Sequence, residues 1–127
     1  MHDKRPSDKE LIKRLNEAKE FLINQDGLFA FDPKIVGELY NLDIGDTRNV
    51  WLLIRELLKE ITPKDYKGGR PPQKSYEKAI AGHELFAFCW WSVKCGKQMY
   101  IKFALKNERY YYVSLHESRF SEQKGKD

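Results

Sequence analysis

Four side chains that can handle a phosphate group fall in the last third of the chain, within two neighbouring strand-like segments. Tyr100 and Lys102 belong to the first segment, and Ser114 and His116 belong to the second. A lysine can hold phosphate oxygens, and an imidazole, which ordinarily titrates near neutral pH, can take up or release a proton. If these side chains share a solvent-facing surface, they favour metal-independent attack on an RNA backbone over redox or metal chemistry.

Such a reaction needs few catalytic groups from the protein, because the 2′-hydroxyl of RNA can itself attack the adjacent phosphorus. The protein must remove one proton, supply another and stabilise the added negative charge. A positioned acid or base contributes roughly a hundred- to ten-thousandfold to such a step. We therefore predict His116 as the acid or base, Tyr100 as an orienting group or alternative proton carrier, and Lys102 and Ser114 as phosphate contacts. The same residue types also make an ordinary solvated sheet face.

Positive charge is concentrated in the second half of the chain, although the net charge of +4 is modest. Residues 62–78 carry five basic side chains against two acidic ones, Asp65 and Glu77. This distribution meets the electrostatic requirement for docking on phosphates, while ordinary solubilising lysines give the same pattern. The basic residues are Lys64, Lys67, Arg70, Lys74 and Lys78, of which we predict Lys64, Lys67 and Arg70 as phosphate contacts.

Composition predicts a single domain over residues 1–127, with a core at about 8–120 and a frayed basic tail at 121–127. With 127 residues, of which 41% are hydrophobic, the chain can bury a sizeable core. No apolar run is long enough to span a bilayer, and the polar amino-terminal segment has no signal-peptide pattern, so we expect a cytoplasmic protein. Cys89 and Cys95 are then expected as free thiols.

Neither a metal nor a cofactor is predicted. A zinc site built from His83, Cys89, Cys95 and His116 would lack the close Cys-x-x-Cys pairing usual in such sites. The chain also has no Walker loop, dinucleotide fingerprint or His-Glu-x-x-His helix, which argues against nucleotide, hydride and zinc-protease chemistry.

Helices are predicted in the first half of the chain. Ser7 and Glu10 form a capping-box pattern ahead of a helix over about 8–24. Asp32 and a following proline predict a short helix that ends at residue 39 or 40, and an apolar stripe predicts a third helix that is ended by Pro63. Between the first two, residues 28–31 fit a short strand or a tucked loop.

Strands are predicted after a loop-like segment at residues 62–82, whose length is typical of a functional or disordered loop. They cover residues 84–93, 98–106 and 110–117. The first of them is apolar at nearly every position, so we expect it near the middle of the sheet, buried on both faces. The order of elements predicts an α+β domain in which N-terminal helices pack on a sheet of three or more strands.

The loop of the last hairpin decides which side chains meet. A two-residue loop, Asn107-Glu108, pairs Lys102 with Val113 and mixes charged and apolar side chains on each face. A three-residue loop that includes Arg109 pairs Tyr100 with His116, Lys102 with Ser114 and Phe103 with Val113, which gives one uniformly apolar face. We prefer the second register because burial of each large apolar side chain contributes about 1.5 to 3 kcal/mol.

These motifs together resemble the toxin half of MqsR-type toxin–antitoxin systems, a family similar in fold to the RelE ribonucleases. The resemblance covers roughly residues 8–120 in element order. It rests on short motifs: Pro63-Lys-Asp-Tyr-Lys67 after a helix, an aromatic strand, Met99-Tyr-Ile-Lys102, and Val113-Ser-Leu-His-Glu117.

The resemblance implies helices on a twisted antiparallel sheet, cleavage of messenger RNA without a metal, and inhibition by a partner antitoxin. It also implies that Lys67 and Tyr100 are active-site residues, and that His116 stands where the family has a lysine. Two positions depart from the family pattern: His116 replaces the lysine, and Ala87 stands where a glutamine is expected. The alternatives are a noncatalytic RNA- or protein-binding module on the same scaffold, and a regulatory module that binds another chain through a sheet edge.

Overall fold

The computed structural model of the chain describes residues 5–30, 32–42 and 47–118. This part of the chain forms helices α1 (Asp8–Asn24), α2 (Asp32–Asn41) and α3 (Thr47–Leu58), and strands β1 (Leu28–Phe29), β2 (Phe86–Ser92), β3 (Lys97–Lys106) and β4 (Arg109–Glu117). The predicted frayed tail at 121–127, and the last two residues of the predicted core, lie outside the described residues.

The helices form where the sequence predicts them, except that α3 ends at Leu58 instead of continuing to Pro63, because the chain tightens there into i→i−3 hydrogen bonds through Ile61. Ser7 caps α1, because its Oγ accepts the N–H of Glu10 at 3.0 Å. Apolar side chains recur along α1 and α3 at helical spacing and are buried against the sheet. They are Leu11, Leu15, Ala18 and Leu22 on α1, and Val50, Trp51, Ile54, Leu57 and Leu58 on α3.

The sheet has the strand order β1-β4-β3-β2, in which β1 runs parallel to β4 and the other neighbours are antiparallel. The α+β class is therefore confirmed, but the expectation of an antiparallel sheet is wrong for β1. The reason is the long connection between β1 and β4, which includes α2, α3 and the β2–β3 hairpin. Such a crossover allows a parallel pair, whereas a hairpin does not.

Strand β2 lies at an edge of the sheet rather than near its middle, so that prediction is wrong. It is nevertheless buried at every position except Trp91. Its outer edge is covered by a short bridge, in which Tyr66 pairs with Phe88 and the N–H of Lys67 donates to the Ala87 carbonyl at 2.8 Å. The continuous run of apolar residues in β2 therefore indicates that neighbouring parts of the chain cover the strand. It does not indicate that the strand lies in the middle of the sheet.

The hairpin of β3 and β4 combines features of both predicted registers. Its loop contains only Asn107 and Glu108, which have φ of 53° and 59°, as a tight two-residue turn requires. The three-residue loop is therefore wrong, and Phe103 pairs with Tyr112 instead of Val113. Beyond this point the ladder shifts by one residue, because Val113 is left without a partner in a β-bulge.

The bulge restores the predicted pairs in the second half of the hairpin. Tyr100 lies opposite His116, Ile101 opposite Leu115, and Lys102 opposite Ser114. One face of the hairpin remains apolar against the helices, as expected, but Tyr110 and Tyr112 occupy it instead of Tyr111 and Val113.

Two further features concern membrane insertion and the cysteines. No helix within residues 5–30, 32–42 and 47–118 combines the length and apolar character needed to cross a bilayer. Cys89 is buried and Cys95 is half-buried, and both are free thiols.

Candidate functional site

Three of the predicted site residues meet on the face of the β3–β4 hairpin that points away from the helices. The rings of Tyr100 and His116 stack with their centroids 5.0 Å apart and an interplanar angle of 24°. The ammonium nitrogen of Lys102 lies 6.0 Å from the centroid of the Tyr100 ring. We call Tyr100, Lys102 and His116 the hairpin cluster. It places an imidazole and an ammonium group within about 6 Å of the same phenol ring.

The imidazole of His116 is oriented by the main chain. Its Nδ1 lies 2.8 Å from the carbonyl oxygen of Glu117. A carbonyl oxygen can only accept a hydrogen bond, so Nδ1 carries the hydrogen and donates it. Nε2 is then the nitrogen that accepts a proton in the neutral ring and donates one in the imidazolium.

Tyr100 is suited to donate a hydrogen bond rather than to remove a proton. Burial raises the pKa of its phenol to about 12, and the nearby Cys89 and Glu38 side chains add to the shift. The phenol therefore keeps its proton at neutral pH. Of the two roles predicted for Tyr100, its environment favours orientation of a ligand oxygen through the O–H.

Ser114 takes part in a different interaction from the one predicted. It is only 2% exposed, and its Oγ donates to Glu38 Oε2 at 3.0 Å. The expectation that Ser114 contacts a ligand phosphate does not fit this burial. Its hydroxyl donates to a buried carboxylate, and the residue lies opposite Lys102 in the strand pairing.

Glu38, on α2, is the main residue that the sequence analysis missed. Its Oε1 accepts the backbone N–H of Leu115 at 2.9 Å and the hydroxyl of Tyr112 at 2.5 Å. Glu38 is 8% exposed. Burial of the Tyr112 phenol, together with its hydrogen bond to Glu38, raises the pKa of Tyr112 well above the ordinary value. Glu38 thus holds β4 on both sides of its bulge. A single glutamate on a short amphipathic helix carries no sequence signal for such a role.

The predicted basic residues of the preceding loop lie elsewhere. Lys67 is opposite Ala87 on the outer edge of β2, and β2 separates it from Tyr100 on β3. Two strand spacings place Lys67 roughly 10 Å from β3, and Tyr100 lies two residues further along β3 than Lys102, the partner of Ala87. Lys64 lies in the 3₁₀ turn Pro63–Asp65, and Lys64, Lys67 and Arg70 are all exposed. Lys67 therefore lies at the β2 edge of the sheet and not within the hairpin cluster, and Lys64 and Arg70 flank it in the sequence.

Ala87 lies between Lys67 and Lys102 in the row of residues that crosses the sheet. It is buried, and its side chain has no polar atom. The amide that the resemblance led us to expect at this position is therefore missing from the row, and Lys67 and Lys102 are separated by an apolar position.

Two open grooves are each lined by one member of the hairpin cluster. The first, which we call the hairpin-end groove, has a volume of about 700 Å³ and is lined by His116 together with Lys94 and Lys97. The second, the loop groove, has a volume of about 750 Å³ and is lined by Lys102 together with side chains of residues 73–85. In the hairpin-end groove, Lys97 lies 3.9 Å from the carboxylate of Glu117 in an exposed ion pair. Each groove therefore combines lysine with one member of the hairpin cluster.

Comparison of the chain with protein-family models, with curated proteins and with solved structures finds no match. Within the described ranges, no group of three or more His, Cys, Asp or Glu side chains is placed to hold a metal ion. The chemistry of the site is therefore inferred from the hairpin cluster and the two grooves.

Proposed function

We propose that the chain is an endoribonuclease toxin of the MqsR and RelE-like class, which cleaves messenger RNA by attack of a 2′-hydroxyl on the adjacent phosphorus. The observation that carries the proposal is the stacked pair of Tyr100 and His116 beside Lys102. The cytoplasmic location and the partner antitoxin belong to the same proposal.

The geometry supports distinct roles for the three residues. His116 Nε2 takes the proton of the 2′-hydroxyl as the O2′–P bond forms, and the imidazolium then returns a proton to the departing 5′ oxygen as the P–O5′ bond breaks. The products are a 2′,3′-cyclic phosphate and a 5′-hydroxyl. Lys102 and the Tyr100 hydroxyl donate hydrogen bonds to the phosphate oxygens, where negative charge develops in the transition state.

The exposed basic residues at the β2 edge contribute differently in this proposal. Lys64, Lys67 and Arg70 bind phosphates on either side of the cleaved bond, since Lys67 lies on the far side of β2 from the hairpin cluster. Lys67 thus becomes a substrate-binding residue rather than a member of the reacting group. Its contribution is electrostatic and falls as salt concentration rises.

A noncatalytic RNA-binding module is the second candidate, and one observation favours it. Ala87 supplies no polar group to the row that contains Lys67 and Lys102. A site that binds RNA through lysines needs no amide at this position, whereas a site that must stabilise a transition state gains from each additional donor.

The two candidates are separated by incubation of the purified chain with messenger RNA in EDTA, beside His116→Ala and His83→Ala variants. His83 is a matched control, because it lies in the loop before β2 and lines neither groove. We expect the wild type and His83→Ala to give products with 2′,3′-cyclic phosphate ends. We expect His116→Ala to lose roughly a hundredfold or more of the rate, the contribution of a positioned acid or base.

The other outcomes are also informative. RNA binding without cleavage by the wild type would support the noncatalytic module. Equal cleavage by the wild type and His116→Ala would reject the assigned role of His116, and it would point to a contaminating nuclease if His83→Ala behaved in the same way.

A further inference from the structure

One aromatic side chain lies almost completely outside the protein. Tyr76 lies in the segment between the bridge of Tyr66 with Phe88 and the start of β2, and it is 99% exposed. Folding therefore gains almost nothing from the apolar surface of this ring, since burial is what makes an aromatic side chain stabilising. A ring in this position is available to a ligand.

The backbone beneath Tyr76 is held firmly on both sides. The N–H of Ser75 donates to the His83 carbonyl at 2.9 Å, and the N–H of Gly82 donates to the Ser75 carbonyl at 2.9 Å. The Oγ of Ser75 also accepts the N–H of Glu77 at 2.9 Å. Tyr76 therefore projects from an ordered turn, so a ligand that contacts its ring does not first have to order the backbone.

This turn is fixed to the sheet as well. Ile80 is completely buried, and the ammonium of Lys106 donates to the carbonyl of Ala79 at 2.8 Å. The position of Tyr76 relative to the hairpin face is therefore set by contacts on both sides of the loop groove.

Cations line the same groove. Tyr76 and Lys74 lie on its loop side and Lys102 on its sheet side; Glu77 also lines the groove, and Lys74 lies opposite Glu84 in an isolated bridge. An aromatic face beside ammonium groups is the combination with which proteins bind single-stranded nucleic acid, because every base can stack and every linkage carries a phosphate. A duplex offers no free base face to such a site.

We propose that the loop groove is a subsite for one unpaired nucleotide, in which the base stacks on Tyr76 and Lys74 and Lys102 hold its phosphate. The ligand class is single-stranded RNA, a choice that rests on the proposed function. Lys102 would then connect this subsite with the hairpin cluster, so that the nucleotide on Tyr76 is a neighbour of the cleaved bond and influences which sequences are cleaved.

Binding can be measured without cleavage by fluorescence anisotropy with a short labelled 2′-O-methyl oligouridylate, which has no free 2′-hydroxyl. We expect Tyr76→Ala to weaken binding about 5- to 100-fold, the range for loss of one base stack, and Tyr76→Trp to bind as well as the wild type. Tyr40→Ala is the matched control, since Tyr40 is 83% exposed on α2 and lines neither groove. It should bind as the wild type does.

An abasic strand with the same backbone separates stacking from charge. The proposal expects the wild type to bind it more weakly than the oligouridylate, and Tyr76→Ala to bind both equally. Failure of the wild type to bind the oligouridylate, Tyr76→Ala binding within twofold of the wild type, or wild-type binding that is equal for both strands would each overturn the subsite.

The cleavage assay distinguishes failure of the subsite from failure of the proposed function. Binding that depends on Tyr76, without any cleavage of messenger RNA, would reject the endoribonuclease and keep the subsite. Cleavage that depends on His116, together with binding that does not depend on Tyr76, would keep the endoribonuclease and reject the subsite.

Discussion

The carboxylate of Glu38 accepts the backbone N–H of Leu115 at 2.9 Å, which ties α2 to β4 just beyond the bulge at Val113. This N–H lies past the end of the β1–β4 pairing, which stops at Tyr112. Glu38 therefore takes the place of the next strand residue as a hydrogen-bond acceptor. Because the bulge sets the register of the rest of β4, this bond also helps to hold His116 opposite Tyr100.

Glu38→Ala is expected to lower the free energy of unfolding by roughly 3 kcal/mol or more. The substitution leaves the Leu115 N–H and the hydroxyls of Tyr112 and Ser114 without their acceptor, and each buried unsatisfied group costs about 1 to 3 kcal/mol. Urea denaturation followed by tryptophan fluorescence measures the change.

Glu56→Ala is the matched control for this experiment. Glu56 is exposed on α3 and pairs only with Lys59 among the contacts found for its side chain, so its loss should cost less than about 1 kcal/mol. Similar costs for the two substitutions would show that the Glu38 carboxylate has no special part in holding β4.

The hairpin shows how far local sequence rules reach. Alternation along residues 99–106 correctly predicts that Tyr100 and His116 meet, because only one register there buries an apolar face. It does not reveal how the chain reaches that register. A three-residue loop and a two-residue loop followed by a bulge give the same pairs near Tyr100, and they differ only in the pairs between the loop and Val113.

Glu108→Gly is expected to stabilise the protein by about 1 kcal/mol. Glu108 has a φ of 59°, which costs an ordinary L-residue roughly 1 to 2 kcal/mol, and the change produces Asn-Gly, the dipeptide preferred in two-residue hairpin loops. The bond from Gln25 to the Glu108 carbonyl involves the main chain and is kept. Thermal and urea denaturation both report the gain.

A glutamate-to-glycine substitution in a helix should instead lower the free energy of unfolding. Glu20 is exposed in the interior of α1, so Glu20→Gly is expected to cost about 1 kcal/mol through the higher helix-forming tendency of the residue it replaces. If both substitutions destabilise, the positive φ at residue 108 is not a source of strain.

Contacts between residues far apart in the sequence could not be predicted from sequence patterns. Glu38 and Ser114 are far apart in the sequence, and nothing local to either residue indicates that the helix carboxylate will meet the strand hydroxyl. The same holds for β2, whose outer edge is covered by Tyr66 on the segment that precedes it, where the Tyr66 ring packs edge-on against Phe88. Spacing rules describe neighbours within one element, whereas these contacts depend on where the elements end up.

Glu60 is expected to make stability dependent on pH in the acid range. Burial opposes its ionisation, but hydrogen bonds from the Trp90 indole and the Lys94 N–H, both at 2.9 Å, outweigh burial and lower its pKa below the ordinary value of 4.5. The contribution of the carboxylate is therefore fully present above pH 4.5 and is lost as the pH falls through the lower folded-state pKa.

The difference in unfolding free energy between the wild type and Glu60→Gln measures this contribution. It should favour the wild type at neutral pH and shrink as the solution is acidified below pH 4.5. Trp90→Phe removes the indole donor and should reduce the pH-dependent part. A difference that stays constant down to acid pH would contradict the assignment.

Tyr100→Phe tests whether the phenol donates a hydrogen bond or carries a proton in the proposed cleavage reaction. Because the pKa of Tyr100 is raised to about 12, the group stays protonated throughout the neutral range. We expect kcat to fall roughly 10- to 100-fold, as for loss of one hydrogen bond to a charged group, while the pH profile of kcat keeps its shape. In His116→Gln, by contrast, the proposed acid and base is lost, and kcat should fall by roughly a hundredfold or more. Loss of an alkaline limb in Tyr100→Phe alone would show that the phenol titrates during catalysis, and it would transfer the role of base from His116 to Tyr100.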